Sequence, residues 1–336
     1  MSPTASGGRR GRRFRWLLAL GAAASGLLLA WLIEPSVPAA ELEAQYAPPP
    51  SQFAELAGQR THYRDEGQGP CLLLIHGTAS SLHTWDGWVE VLADRFRILR
   101  LDLPGYGLTG ANPDHDYSVD HRLAVIDGLR RLAGEERCSL AGNSLGGMLA
   151  WRYALAHPER VDRLVLVDAA GFEDPGGGGG GRVLDLVHVP VVNRLLTRIT
   201  PRSLVAKGLR QVYGDPGRLD PSVIDRHHRL LLREGNREAL VAAALARREV
   251  GEPAIDPAEA LATLTAPTLV LWGELDTWIP PEHARRFHAA LPDSELAIFE
   301  DAGHVPMEEL PVETAERVAE FLLRPADGDP PALPDS

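Results

Sequence analysis

Along most of this chain, short apolar runs alternate with longer segments in which apolar residues recur every three or four positions. Residues 71–75, 97–103, 138–143, 164–167, 268–272 and 295–299 read as short strands, and the near-continuous apolar character of 71–75 is that of a strand buried on both faces. Residues 52–58 and 60–65 read as two further strands joined as a hairpin. Between them, 85–94, 119–132, 145–156, 281–291 and 312–323 carry helical periodicity. Repeated strand–helix units predict an α/β fold built on a mostly parallel, doubly covered sheet.

The alternation breaks at residues 172–262. That segment holds Pro175, six glycines from Gly176 to Gly181, and helix-like stretches near 184–198, 202–213, 221–233 and 236–248. It predicts an inserted helical cap above the carboxyl ends of the strands, where such sheets take their ligands, with the glycine run as a hinge. The sheet-bearing core is then 52–171 and 263–324. Residues 325–336, rich in Pro and Asp, read as a frayed, disordered tail.

The amino terminus has a different pattern. Arg9, Arg10, Arg12, Arg13 and Arg15 precede an uncharged run of 18 residues, 16–33, which as a helix spans roughly 27 Å against a hydrocarbon core of roughly 30 Å. Residues 1–33 therefore read as a transmembrane signal-anchor that keeps the arginines in the cytoplasm and sends the catalytic body across the membrane. The stretch Val37-Pro38-Ala39 supplies a cleavage site for the alternative, a secreted or periplasmic product. Residues 34–51, with Pro35, Pro38 and Pro48-Pro49-Pro50, read as a semi-rigid linker.

Composition narrows the function. The 336 residues are 44% hydrophobic with a formal charge of −12. The five amino-terminal arginines make the rest more acidic still, so nucleic acid is not a partner. Cys71 and Cys138 are too few for a disulfide scaffold or a structural zinc site.

Gly142-Asn143-Ser144-Leu145-Gly146 fits G-x-S-x-G, with a predicted strand directly before it and a predicted helix directly after. A serine there sits on a sharp turn whose glycines prevent collisions with the neighbouring strand and helix, beside free helix N–H groups. On this motif the chain resembles the α/β-hydrolase superfamily, over about residues 52–324. His76-Gly77-Thr78 is similar to that family's HG-x element, Asp102-Leu103-Pro104-Gly105-Tyr106-Gly107 to its DxPGxG turn, Gly273-Glu274-Leu275-Asp276 to its acid turn, and Gly303-His304-Val305-Pro306 to its histidine loop. The resemblance implies Ser144 as nucleophile, His304 as base and Asp276 as orienting acid. It also implies an oxyanion hole from the N–H groups of Thr78 and Leu145.

Other readings of single residues are weaker. His76 beside the oxyanion turn reads as structural. Asp168, which ends a strand, is the alternative acid. His227 and His228 read as exposed cap residues without metal-ligand spacing. Neither a cofactor nor a metal is expected. In the strand order that the resemblance implies, Cys71 and Cys138 lie on neighbouring strands at similar depth. A bridge between adjacent parallel strands is geometrically awkward, so two buried free thiols are expected. The expected reaction is hydrolysis of a small-molecule or lipid carboxylic ester through an acyl-enzyme. The alternatives are a carbon–carbon bond hydrolase of ring-cleavage products, whose elbow Gly142-Asn143-Ser144-x-Gly146-Gly147 matches, and a non-catalytic binding protein on the same fold. Against the former, Thr78-Ala79-Ser80-Ser81 stands where those enzymes carry a GPGA-like stretch.

Overall fold

The computed structural model describes residues 15–16, 33–172, 189–249 and 256–325. Eight strands form one sheet in the order β1-β2-β4-β3-β5-β6-β7-β8. They are β1 Gln52–Leu56, β2 Gln59–Gly67, β3 Cys71–Ile75, β4 Arg97–Leu101, β5 Cys138–Asn143, β6 Val161–Val167, β7 Thr268–Gly273 and β8 Ser294–Phe299. The pairings β1–β2 and β2–β4 are antiparallel and all the others parallel. The hairpin turn needs positive φ at both central residues, supplied by Ala57 and Gly58, which matches the twist of the flanking strands.

Each parallel strand is apolar throughout because both of its faces are covered. Leu73 and Ile75 pack on one side with Leu123, Leu129 and Leu149. Those residues belong to the helices α3 (Val119–Leu132) and α4 (Leu145–Ala156). Leu72 and Leu74 pack on the other side with Trp88, Leu92 and Val318, from α2 (Asp86–Leu92) and α12 (Pro311–Leu322). Alternate residues of one strand therefore feed two separate cores.

Between β6 and β7 the described chain forms α5 (Pro190–Leu196), α6 (Arg202–Val212), α7 (Pro221–Leu231), α8 (Asn236–Glu249) and α9 (Pro257–Leu261). Leu261 is buried in the same core as Leu149 and Phe287, so α9 packs with the sheet layers although the sequence reading placed it in the cap. The glycine run 176–181 lies outside the described residues, as do residues 17–32 of the apolar run and the tail from 326. Among the described residues no helix is long and apolar enough to cross a membrane.

Two sequence expectations are corrected. Residues 34–51 are not a bare spacer. They contain α1 (Ala39–Tyr46), and Leu42 and Val37 are buried against Leu108, Leu230 and Leu232. Val37 N–H donates to Leu232 O at 2.7 Å, and Glu234 N–H donates to Val37 O at 3.0 Å. Counting prolines obscured the two apolar residues that anchor this arm. Cys71 and Cys138, expected as free thiols, form a disulfide with a Cα–Cα distance of 4.8 Å. The register pairs Leu72 with Ser139, so the two cysteines stand side by side at the strand starts, where the backbone can still adjust.

Candidate active site

Ser144 occupies the turn between β5 and α4 at φ 55° and ψ −115°. Such a backbone costs about 1–3 kcal/mol and persists only where its surroundings over-determine it. Here Ser144 N–H donates to Val167 O at 3.0 Å, and its carbonyl accepts from Met148 N–H at 3.1 Å and Ala170 N–H at 3.0 Å. The motif glycines are needed for clearance. A Cβ at Gly142 would lie 2.2 Å from Gly146 O, and one at Gly146 would lie 2.1 Å from Ile75 O.

The turn after β3 lies against this elbow, since a Cβ at Gly77 would meet Asn143 Oδ1 at 2.9 Å and the Ser144 Cβ at 3.2 Å. That brings half-buried Thr78 to the same place as the first residue of α4, Leu145. His76 is fully occupied: its Nε2 accepts from Leu103 N–H at 2.9 Å and its Nδ1 bonds Gly77 O at 2.7 Å. Burial lowers its pKa, so it is neutral and holds the oxyanion turn to the Asp102 turn. Asp102 accepts from Leu82 N–H and Leu108 N–H, both at 2.7 Å, and pairs with His62 at 2.8 Å. Burial, the largest single influence, opposes its ionisation, but His62, His76 and His83 act together against it and the carboxyl is held below its ordinary range.

Asp276 and His304 come from the loops after β7 and β8, and His304 Nδ1 lies 2.7 Å from Asp276 Oδ2, both residues buried. The other oxygen of Asp276 accepts from Trp278 N–H at 2.7 Å and Ile279 N–H at 3.0 Å. Asn143, next to the nucleophile position, donates through Nδ2 to His304 O at 3.0 Å and to Val167 O at 3.2 Å. The elbow and the histidine loop are thus tied by a side chain. Trp278 stacks on the His304 ring, 5.9 Å between centroids and 24° between planes.

The alternative acid, Asp168, is at the same place. It ends β6 at φ 44° and is fully buried, and its Oδ1 accepts from Gly273 N–H at 3.0 Å. Asp168, Asp276 and His304 each offer an atom within 4.8 Å of the others. Burial, reinforced by the neighbouring Asp276, pushes the Asp168 carboxyl well above its ordinary value, which favours its protonated form. These three are metal-ligating types, and His304 Nδ1 is already engaged by Asp276.

The cap reaches the histidine directly. His304 N–H donates to Val212 O at 2.7 Å, the last residue of α6. Glu309 accepts from Gly303 N–H at 2.7 Å and from the cap amides of Asp215 at 3.0 Å and Gly214 at 3.1 Å. The sequence reading assigns no site role to Asn143, Trp278, Val212 or Glu309. Asn143 stood inside the motif, but nothing local says what it bonds. Glu309 carries no local sign of the three backbone amides it accepts. His227 and His228, expected as exposed, are half-buried: His227 Nδ1 bonds Val223 O at 2.9 Å, and His228 Nε2 bonds Thr200 O at 3.0 Å and Glu34 at 3.3 Å.

Residues 72–319 match the model of the alpha/beta hydrolase family. An uncharacterized protein of Mycobacterium tuberculosis is 33% identical over 309 residues, covering 85% of this chain and 86% of its own. The 2-hydroxy-6-oxo-6-(2'-aminophenyl)hexa-2,4-dienoic acid hydrolase of Metapseudomonas resinovorans is 30% identical, covering 82% and 92%. The crystal structure of a membrane phospholipase A described as a bacterial virulence factor superposes with a TM-score of 0.69 at 28% identity, covering 93% of this chain and 98% of that one.

Proposed function

The chain belongs to the alpha/beta hydrolase family, and from that premise we propose that it is a serine hydrolase in which His304 takes the Ser144 proton, Asp276 holds the imidazole, and the Thr78 and Leu145 amides receive the developing oxyanion. The observation that carries this reading is the Asp276–His304 contact at 2.7 Å, on a loop that Asn143 fastens to the Ser144 elbow. Asp276 keeps Nδ1 protonated, so Nε2 is free to act as base and then as acid. The helix start at Leu145 places dipole and N–H where negative charge appears.

For the bond cleaved, the reading with most support is a carbon–carbon bond beside the ketone of a 2-hydroxy-6-oxo-dienoic acid. It rests on the relative of that name, matched over 92% of its length. The departure at Thr78-Ala79-Ser80-Ser81 bears on pocket shape, since the oxyanion donor there is a backbone group. The second reading is a carboxylic or lipid ester, favoured by the likeness to a membrane phospholipase A over 93% of this chain. Both require attack on a carbonyl by the same serine. The experiment offers the full protein a 2-hydroxy-6-oxo-6-phenylhexa-2,4-dienoate and p-nitrophenyl esters of graded length. Turnover of the dienoate at least about tenfold faster in kcat/KM supports carbon–carbon cleavage, and the reverse order supports the esterase. In either case Ser144→Ala should lower turnover by several orders of magnitude with the fold intact. Retention of more than a few per cent would remove Ser144 from the mechanism.

A further inference from the structure

From residue 189 to residue 214 the chain carries five cations and no aspartate or glutamate, in a protein of net charge −12. The stretch covers α5, the Thr200-Pro201 turn and α6. Of the five cations, Arg202 pairs with Asp225. Arg194, Arg198, Lys207 and Arg210 are exposed and form no ion pair with a described residue. Among them stand large apolar side chains open to solvent: Val191 at 67% exposure, Val189 at 47%, Leu204 at 46% and Leu195 at 42%. A basic, amphipathic surface with protruding apolar side chains is the composition of a segment lying in the headgroup region of an anionic bilayer.

One further observation favours the bilayer over a protein partner. The amino-terminal arm reaches this same surface, because Glu34 N–H donates to Arg198 O at 3.1 Å. The 18-residue apolar run that ends at Ile33 therefore joins the folded body beside α5. Contact between copies, the basic face of one on the acidic body of another, is the competing occupant that the test below separates.

We propose that the α5–α6 face of the cap docks on an anionic lipid surface, with Val189, Val191, Leu195 and Leu204 entering the headgroup layer and Arg194, Arg198, Lys207 and Arg210 contacting lipid phosphates. The proposal holds for either substrate reading. Its functional reach comes from α6, whose last carbonyl holds the His304 amide. A helix fixed by lipid at its exposed face thereby meets the histidine loop at its end.

The test uses the full chain in proteoliposomes of phosphatidylcholine, with and without about one-third phosphatidylglycerol. With Cys71 and Cys138 joined, single thiols introduced by Val191→Cys, Leu204→Cys or, as control, Leu132→Cys at the end of α3 carry an environment-sensitive fluorophore. The expected result is a blue shift and at least about twofold brightening at 191 and 204 but not at 132, only with phosphatidylglycerol, quenched by brominated lipid and reversed by 1 M salt. The quadruple variant R194E/R198E/K207E/R210E, checked by thermal melting for an unchanged fold, should lose the shift. Equal signals at 191 and 132, insensitivity to lipid charge, or a shift that follows protein density instead of lipid composition would overturn the proposal, the last by pointing to contact between copies.

Discussion

Asp276 and Asp168 are chemically identical side chains within reach of one histidine, and their hydrogen-bonding surroundings differ. Asp276 accepts two backbone N–H groups besides the His304 contact, which fix its orientation toward Nδ1. Asp168 accepts one N–H, from Gly273, with its second oxygen buried and unpartnered. Burial first, then the neighbouring Asp276, raises its pKa. Asp276→Asn should therefore lower kcat by orders of magnitude, because the amide presents the wrong group to Nδ1. Asp168→Asn replaces a neutral acid by a neutral amide and should cost less than about tenfold. Equal losses in steady-state assays would mean that the acid is misplaced. The same assignment has a stability signature. A carboxyl raised in the folded state binds its proton more tightly than in the unfolded chain, so its stabilising contribution is complete below the ordinary carboxylate value and is lost as pH rises through the raised one. Denaturant titrations from pH 4 upward should show this decline in the wild type and its absence in Asp168→Asn.

At the scale of elements, the disulfide sets the clearest expectation. Cys71 and Cys138 close 67 residues of sequence, including β4 and α3. In the chain-entropy picture a loop of that length contributes about 4 kcal/mol. The double variant Cys71→Ala/Cys138→Ala should lose stability of that order, and a reducing agent should shift the wild type but not the variant. Thiol titration of the unfolded, unreduced protein should find no free thiol; two would exclude the bridge. Its placement illustrates what the sequence could and could not reveal. The strands were legible because each is buried on both faces and reads as a short apolar run bounded by turns. The residues 71–75 and 138–143 were read with the limits that the structure has. The elbow was legible because strand, glycines and helix adjoin in sequence. The arm at 34–46 was not, because two apolar anchors, Val37 and Leu42, carry no periodicity and acquire meaning only against Leu230 and Leu232 of the cap. Asn143, Trp278 and Glu309 act across 161, 26 and 95 residues of separation or through ring stacking, and no local pattern encodes such partners.

For the whole molecule, three features bear together on the proposal that an amino-terminal anchor holds the folded body at a membrane. Five arginines before the apolar run favour an amino terminus held in the cytoplasm and a body on the far side. A disulfide in the core favours an oxidising compartment, since cytosolic thiols are kept reduced. The arm from Glu34 onward is docked on the cap and not extended, with Arg237 bonding Ser36 at 3.0 Å and Val37 paired beside Arg233. A body joined by a docked arm to such an anchor would not stand off on a long stalk and would be held close to the bilayer. We therefore expect the full chain, produced in a bacterial host, to sediment with membranes and to resist extraction by alkaline carbonate, which strips proteins held by charge alone. Protease added to intact spheroplasts should degrade the catalytic body, leaving a cytoplasmic reporter fused before Arg9 untouched. Cleavage of the purified, detergent-solubilised protein ahead of Glu34 should release a body that keeps its thermal transition, because the arm's contacts lie on the carboxyl-terminal side of the cut. Full protection in spheroplasts would reverse the topology and, with it, the compartment that the disulfide implies.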